Sequence, residues 1–493
     1  MKLRFLKLML LLFILPLQML AAELGVAGKQ LAALPGVSNV ETLKSTHFPE
    51  KYVFFIKQQL DAKDASKGYF EQRVVLCHRG FDRPTVLVTE GYNANYALRE
   101  GYIEELSKLF DTNIITVEYR YFDKSMPSPC NWDYLTVENS LYDLHHVNQT
   151  LHAMYKGKWI ATGISKGGQT TMFYRSYFPD DVDISVPYVA PLNKGVEDGR
   201  HEKFLQYQVS TKENRQKLLD FQLLLFKRKA ALLPMFEKYC NDKKYVFNAP
   251  LAEIFDYSVF EYAFAFWQWG EDINKIPARE ADDKTVFDYW INMCEPDYFT
   301  NYNATASFDV QAARELGYYG YYTKPFKKYL SIRTAKGYLK KLMVPKGAEN
   351  VKFSPALYNH TVEFLTKNDP KMVYIYGDID PWGASGIYGL PFTKNKKNLH
   401  VYMCHGGSHK TRILSFPEPT RQKIMRAYSW IDVLDLFKTY DETFGAGFRF
   451  QPEQILVDSV ELWRQGGVQE TSFRLLRLYC WRQHRTHHRN GYQ

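Results

Sequence analysis

Apolar positions along the chain gather into short β-rich runs that alternate with stretches in which apolar residues return at helical spacing. The runs at 52–58, 68–77, 85–89, 114–119, 159–162, 185–189, 372–376 and 400–403 read as strands, and the segments 98–110, 135–155 and 166–178 read as helices. Strand and helix in alternation predict a mostly parallel sheet with helices on both faces, a doubly wound α/β core. Between 199 and 344 the pattern changes to long helical segments rich in Lys, Leu and aromatic residues, with no strand alternation. Functional crevices of open α/β sheets lie at the carboxyl ends of the strands, so a helical insertion between late strands is expected to cover that edge as a lid. The alternative is an independent helical domain packed elsewhere. The core then comprises 23–198 and 345–466. The last segment, 467–493, is rich in Arg and His with little apolar periodicity and is expected to be a mobile basic tail.

The first residues change the picture. A basic start (Lys2, Arg4, Lys7) precedes an apolar stretch over 8–20 and then Ala21-Ala22 before Glu23, the pattern of a secretory leader cleaved near Ala22. The stretch is shorter than the roughly twenty apolar residues a membrane span needs and contains Pro16. A secreted or periplasmic protein with no membrane insertion is the expectation.

Charge removes one function class. The formal net charge is +9, but three of these charges lie in the leader and a net four lie in the last twenty-four residues, from five arginines against Glu470. About +2 remains for the body, so no nucleic-acid surface is expected. The six cysteines are widely spaced with no Cys-x-x-Cys, which permits disulfides and gives no zinc site. No metal or other cofactor is expected.

Candidate chemistry begins where the run 159–162 enters Gly163-Ile164-Ser165-Lys166-Gly167-Gly168 and then a helix. Strand, sharp turn and helix are the context of a nucleophile elbow, with Ser165 as nucleophile. The turn brings the positions two before and two after the serine together, so a side chain at Gly163 or Gly167 is expected to clash. The unpaired amides of the following helix let the Lys166 N–H bind an oxyanion. A serine hydroxyl needs a base and an orienting acid, in the order Ser, Asp, His. The run 372–376 ends in Gly377-Asp378-Ile379-Asp380-Pro381-Trp382, and Asp380 is preferred to Asp378 because Pro381 fixes the turn that follows. The last run leads into Cys404-His405-Gly406-Gly407-Ser408-His409, where His409, behind the glycine pair, is preferred to His405. The run 85–89 ends in Glu90-Gly91-Tyr92, so the amide of Gly91 or Tyr92 is the second oxyanion donor. Glu90 would pair with a substrate α-ammonium or cap the helix that follows, and Glu118, beside Arg120, is expected in a structural ion pair.

These residues carry a resemblance. Gly-x-Ser-x-Gly-Gly, Asp380-Pro381-Trp382 and Gly407-Ser408-His409, with Glu90-Gly91 and Glu118-Tyr119-Arg120-Tyr121 upstream, resemble the secreted bacterial serine tripeptidyl aminopeptidases, related to lysosomal Pro-Xaa carboxypeptidase and dipeptidyl peptidase. The likeness spans roughly 50–440. It implies an α/β-hydrolase fold with an inserted helical lid and Ser165, Asp380 and His409 as the triad. It also implies oligopeptide substrates, cut after proline near a free terminus. Trp267, Trp269 and Trp382 could then form a flat pocket for a pyrrolidine ring, or simply belong to the core. Lys166 departs from the aromatic residue of the eukaryotic relatives, and their cysteine framework is missing. An esterase or lipase of the same fold is the competing reading, because a triad does not choose between ester and amide. A non-catalytic binding protein is disfavoured by a complete triad.

Overall fold

The computed structural model describes residues 24–301 and 305–427, so the expected leader and basic tail lie outside the described residues. Nine strands form one sheet: β1 Val37–Thr42, β2 Glu50–Gln59, β3 Tyr69–His78, β4 Thr85–Val88, β5 Asn113–Val117, β6 Trp159–Ile164, β7 Ile184–Tyr188, β8 Met372–Gly377 and β9 Leu399–Cys404. Their spatial order is β1-β2-β3-β5-β4-β6-β7-β8-β9. The first strands pair antiparallel as far as β3 with β5, and every pair from β5 with β4 onward is parallel. Every residue of β4, β5, β7 and β8 is buried, as strands covered by helices on both faces must be.

The chain runs from β4 to β5 on one side and then crosses to β6 on the other. That reversal opens a crevice at the carboxyl ends of β4 and β6, the usual place for a site in such a sheet. The fold is that of the α/β-hydrolases.

Two expectations need correction. β1 was not anticipated: its sequence, Val-Ser-Asn-Val-Glu-Thr, is only half buried at the sheet edge and has no apolar face to reveal it. The single helix expected over 98–110 is a 3₁₀ turn, Asn95–Leu98, and a separate helix, Glu105–Phe110. Gly101 interrupts it, and the Glu104 side chain accepts from the amides of Leu106 and Ser107 to start the second helix afresh.

Between β7 and β8 run the helices Arg200–Tyr207, Lys212–Lys227, Lys229–Asp242, Leu251–Trp269, Asp283–Met293 and Ala306–Gln311, followed by Ala356–Lys367. Leu251–Trp269 is the most deeply buried of the long ones, with Phe255, Tyr257, Phe260, Tyr262, Phe264 and Phe266 all inside, because its apolar residues surround the helix rather than striping one face. It stops at Gly270, whose φ of 66° is the left-handed value that ends a helix cheaply only for glycine.

Candidate active site

β6 delivers Ser165 to the carboxyl edge of the sheet and the helix Lys166–Tyr177 starts at the next residue. Ser165 has φ 59° and ψ −118°, a conformation that costs a non-glycine residue about 1–3 kcal/mol. The turn is held from both sides, by the Ser165 amide donating to the Tyr188 carbonyl on β7 at 2.9 Å and by the Gln169 amide donating to the Ser165 carbonyl at 2.9 Å. A Cβ on Gly163 would lie 2.4 Å from the Gly167 backbone, and one on Gly168 would lie 2.5 Å from the Tyr188 oxygen. A Cβ on Gly167 would sit in ordinary contact, 3.6 Å from Glu90. The steric demand for glycine therefore falls on Gly163 and Gly168, and the clash expected at Gly167 is absent.

Two carboxylates follow β8 and two imidazoles follow β9, and they pair off in parallel. Asp380 Oδ2 lies 2.7 Å from His409 Nδ1, both side chains almost wholly buried, at 0% and 7% exposure. The other Asp380 oxygen accepts the Trp382 amide at 3.1 Å, capping the short 3₁₀ turn Pro381–Ser385. Asp378 Oδ2 lies 2.8 Å from His405 Nδ1, but that imidazole stands entirely in solvent, and the second Asp378 oxygen accepts the Gly406 amide at 2.7 Å. The outer pair fastens one loop to the other. The loops are pressed together: a Cβ on Gly377 would fall 2.1 Å from the Gly407 oxygen.

The helical insertion touches both loops, which no local pattern could show. The His409 amide donates to the Gln268 carbonyl at 3.0 Å, in the last turn of Leu251–Trp269. His201, fully buried on Arg200–Tyr207, places its Nδ1 3.0 Å from the Pro381 carbonyl, beside Asp380. Burial pushes the His201 imidazole down to about 4, so it is neutral at physiological pH.

On the other side of Ser165, the loop after β4 lies against the elbow. Thr89 Oγ1 meets the Gly167 carbonyl at 3.0 Å and Thr171 Oγ1 at 2.7 Å. The Gly91 amide lies 3.3 Å from Glu90 Oε2, and the Tyr92 amide faces the same carboxyl. Glu90 binds the Tyr96 hydroxyl. It caps no helix, because the following 3₁₀ turn begins at Ala94 without a side-chain cap. Burial holds the Glu90 carboxyl above the usual carboxylate range, against the hydrogen bonds from Tyr96 and Gly91. Glu118 is in a structural ion pair, with Arg73, and accepts the amides of Ala94 at 3.1 Å and Ser125 at 3.0 Å. Arg120 turns instead to Asp143, which it grips with two bonds of 2.7 Å.

The Lys166 side chain is almost wholly buried. Its Nζ donates to the Gly91 carbonyl at 2.7 Å and lies over the Tyr119 ring, 3.3 Å from the centroid. Burial depresses its ammonium well below the ordinary lysine range, partly opposed by Glu90 and Glu315.

The three tryptophans are dispersed. Trp382 is buried in an aromatic cluster with His201, Phe264, Tyr318 and Tyr319. Trp267 lines a cavity of about 490 Å³ within the insertion, together with Phe264, Phe260 and Tyr321. Trp269 is 42% exposed, with its ring centroid 6.3 Å from that of His409. Glu261, which sequence reasoning did not single out, accepts hydroxyls from Tyr319 and Tyr321 beside that aromatic cluster, and burial pushes its carboxyl up to about 7.

Residues 24–435 match the model of a protein family described as PS-10 peptidase S37. Over 404 residues the chain is 28% identical to the prolyl tri/tetrapeptidyl aminopeptidase of Streptomyces mobaraensis, spanning 79% of this chain and 81% of that one. A stretch of 116 residues is 28% identical to the probable serine protease EDA2 of Arabidopsis thaliana, covering 20% of this chain and 24% of that protein. The crystal structure of a proline iminopeptidase from Mycobacterium smegmatis aligns over 79% of this chain and 97% of that one, at 12% identity and a TM-score of 0.36.

Proposed function

The chain belongs to the PS-10 peptidase S37 family and is a serine peptidase; from that premise we propose that it is an exopeptidase releasing tripeptides or dipeptides, including after proline, from the amino termini of oligopeptides. The observation that carries the reaction is the buried 2.7 Å contact between Asp380 and His409, on loops that share the carboxyl edge of the sheet with the strained Ser165 turn. Ser165 Oγ adds to the scissile carbonyl carbon while its proton passes to His409 Nε2. Asp380, at Nδ1, holds the ring in the tautomer that leaves Nε2 free and stabilises the imidazolium. The amides of Lys166 and of Gly91 or Tyr92 take the negative oxygen. When the C–N bond breaks, the proton moves from His409 to the departing amine and the acyl group stays on Ser165. Water, with His409 as base, then frees the short peptide and restores the serine.

Release from a chain end is supported by the name of the Streptomyces relative and by the insertion. The insertion's helices pack against the turn of Asp380 and the loop of His409, as a lid over 199–344 would. Of the three tryptophans, the exposed Trp269 beside His409 is the one placed to meet a substrate. Among the described residues no helix is long and apolar enough to cross a membrane. The composition of 1–22 supports export with cleavage near Ala22.

One panel tests the substrate class: tripeptide and dipeptide amides with proline or alanine before the scissile bond, against short-chain esters, with product masses recorded. Cleavage of the amides with release of intact tri- or dipeptides is expected. Rapid ester hydrolysis without amide cleavage would overturn it.

A further inference from the structure

We propose that the Lys166 side chain is a positioning residue that aims the second oxyanion donor, by fastening the Gly91–Tyr92 peptide group to the nucleophile turn. The inference rests on the reading of Ser165 as the nucleophile.

The argument begins with where the side chain goes. Lys166 is the first residue of the elbow helix, yet only 2% of it is exposed. It runs along Gly91 so closely that a Cβ there would lie 2.6 Å and 2.7 Å from Lys166 Cβ and Cγ, and it ends with Nζ 2.7 Å from the Gly91 oxygen. Tyr119 covers Nζ at 3.3 Å, and the Phe122 and Tyr92 rings stand at 5.5 Å and 5.6 Å. An amine carries up to three N–H donors, and here one carbonyl and three aromatic faces receive them. Methionine or leucine would fill the same space without the cost of taking a polar group out of water. What no apolar side chain can do is bind the Gly91 carbonyl.

That carbonyl belongs to the same planar unit as the Tyr92 N–H. In a trans peptide the C=O and the N–H point in opposite directions, so fixing one fixes the other. A bond from Nζ to the Gly91 oxygen therefore turns the Tyr92 N–H away from Lys166 and holds it there. It also polarises the peptide group, making that N–H a stronger donor. The Gly91 amide already faces Glu90 Oε2 at 3.3 Å, and the Tyr92 amide faces the same carboxyl. Lys166 thus supplies one oxyanion donor with its own amide and orients the other with its side chain, coupling the two sides of the hole through one residue.

The test compares Lys166→Met with the native enzyme, with concentrations normalised by fluorophosphonate titration of Ser165. We expect kcat on a tripeptide amide to fall by about 10- to 100-fold, below or at the loss seen when a single oxyanion donor is removed. KM should stay within about twofold, affinity for a peptidyl boronate should fall by the same factor as kcat, and the melting temperature should hold or rise. Lys166→Gln, polar but too short to reach Gly91, should behave alike and serves should the Met variant not fold. Unchanged kcat and boronate affinity would overturn the proposal. So would a loss of activity that tracks a lower melting temperature or a raised KM. If the native enzyme itself were not labelled at Ser165, the reading of the nucleophile would fail instead, and the two failures are told apart by that control.

Discussion

The His409 amide donates to the Gln268 carbonyl at 3.0 Å, so the loop bearing the proposed base is held at its backbone by the last turn of an insertion helix. The next residue but one, Gly270, has φ 66°, and a Cβ there would lie 2.9 Å from Ser408 Cβ. Two constraints meet at that glycine. Gly270→Ala should cost about 1 kcal/mol of stability through its positive φ and shift the His409 loop. A fall in kcat larger than about tenfold, measured beside thermal unfolding, is the expected result, since small displacements of a catalytic group are expensive.

Asp380 and Asp378 separate by environment. Asp380→Asn should leave the fold intact and lower kcat by about 10⁴-fold, because the amide presents the wrong partner to Nδ1. Asp378→Asn and His405→Ala act on a pair whose imidazole is fully solvated and should change kcat by less than about threefold. Steady-state kinetics on all three variants decides it. Full activity in Asp380→Asn would return the acid's role to Asp378.

The strain at Ser165 predicts a trade of stability against function. Ser165→Ala should abolish fluorophosphonate labelling and leave stability nearly unchanged, since alanine inherits φ 59°. Ser165→Gly should abolish labelling as well, yet melt higher, by a net of about 1 kcal/mol after the glycine's extra unfolded-state entropy is subtracted. Equal melting temperatures for the two variants would mean the turn is not strained.

Glu261 gives a pH signature. Its carboxyl is raised from 4.5 to about 7, so between those values the folded state holds a proton that the unfolded state has lost. Stability contributed by this group is therefore present below about 4.5 and lost as the pH rises through about 7. Glu261→Gln, which cannot ionise, should match the native melting temperature in acid and exceed it above neutrality. Calorimetry across that range would show the gap opening, and a gap independent of pH would mean the carboxyl is not raised.

How much of this was legible in the residues follows from which forces are local. β6, β8 and β9, with the turns that close them, are short apolar runs bounded by Gly and Asp, and they deliver Ser165, Asp380 and His409 to one edge of the sheet. The pairing of Asp380 with His409 respects the loop chemistry read from Pro381 and the glycine pair, whereas the contact of Asp378 with His405 could not be read from it. The partner of Glu118 was not legible, because Arg73 comes from a strand far back in the chain and its approach depends on sheet order. The tryptophans share a composition but not a surface, since their places are set by helix packing within the insertion and against the sheet. The burial of Lys166 runs against the ordinary preference of lysine for water, and no sequence pattern announces such an exception.

The insertion between β7 and β8 also sets a timetable. Ser165 is synthesised well before Asp380 and His409, with every helix from Arg200–Tyr207 to Asp283–Met293 made in between. The seat of His409 includes the Gln268 carbonyl, which is made before it. A growing chain therefore carries Ser165 without the proposed base until all nine strands of the sheet have been made.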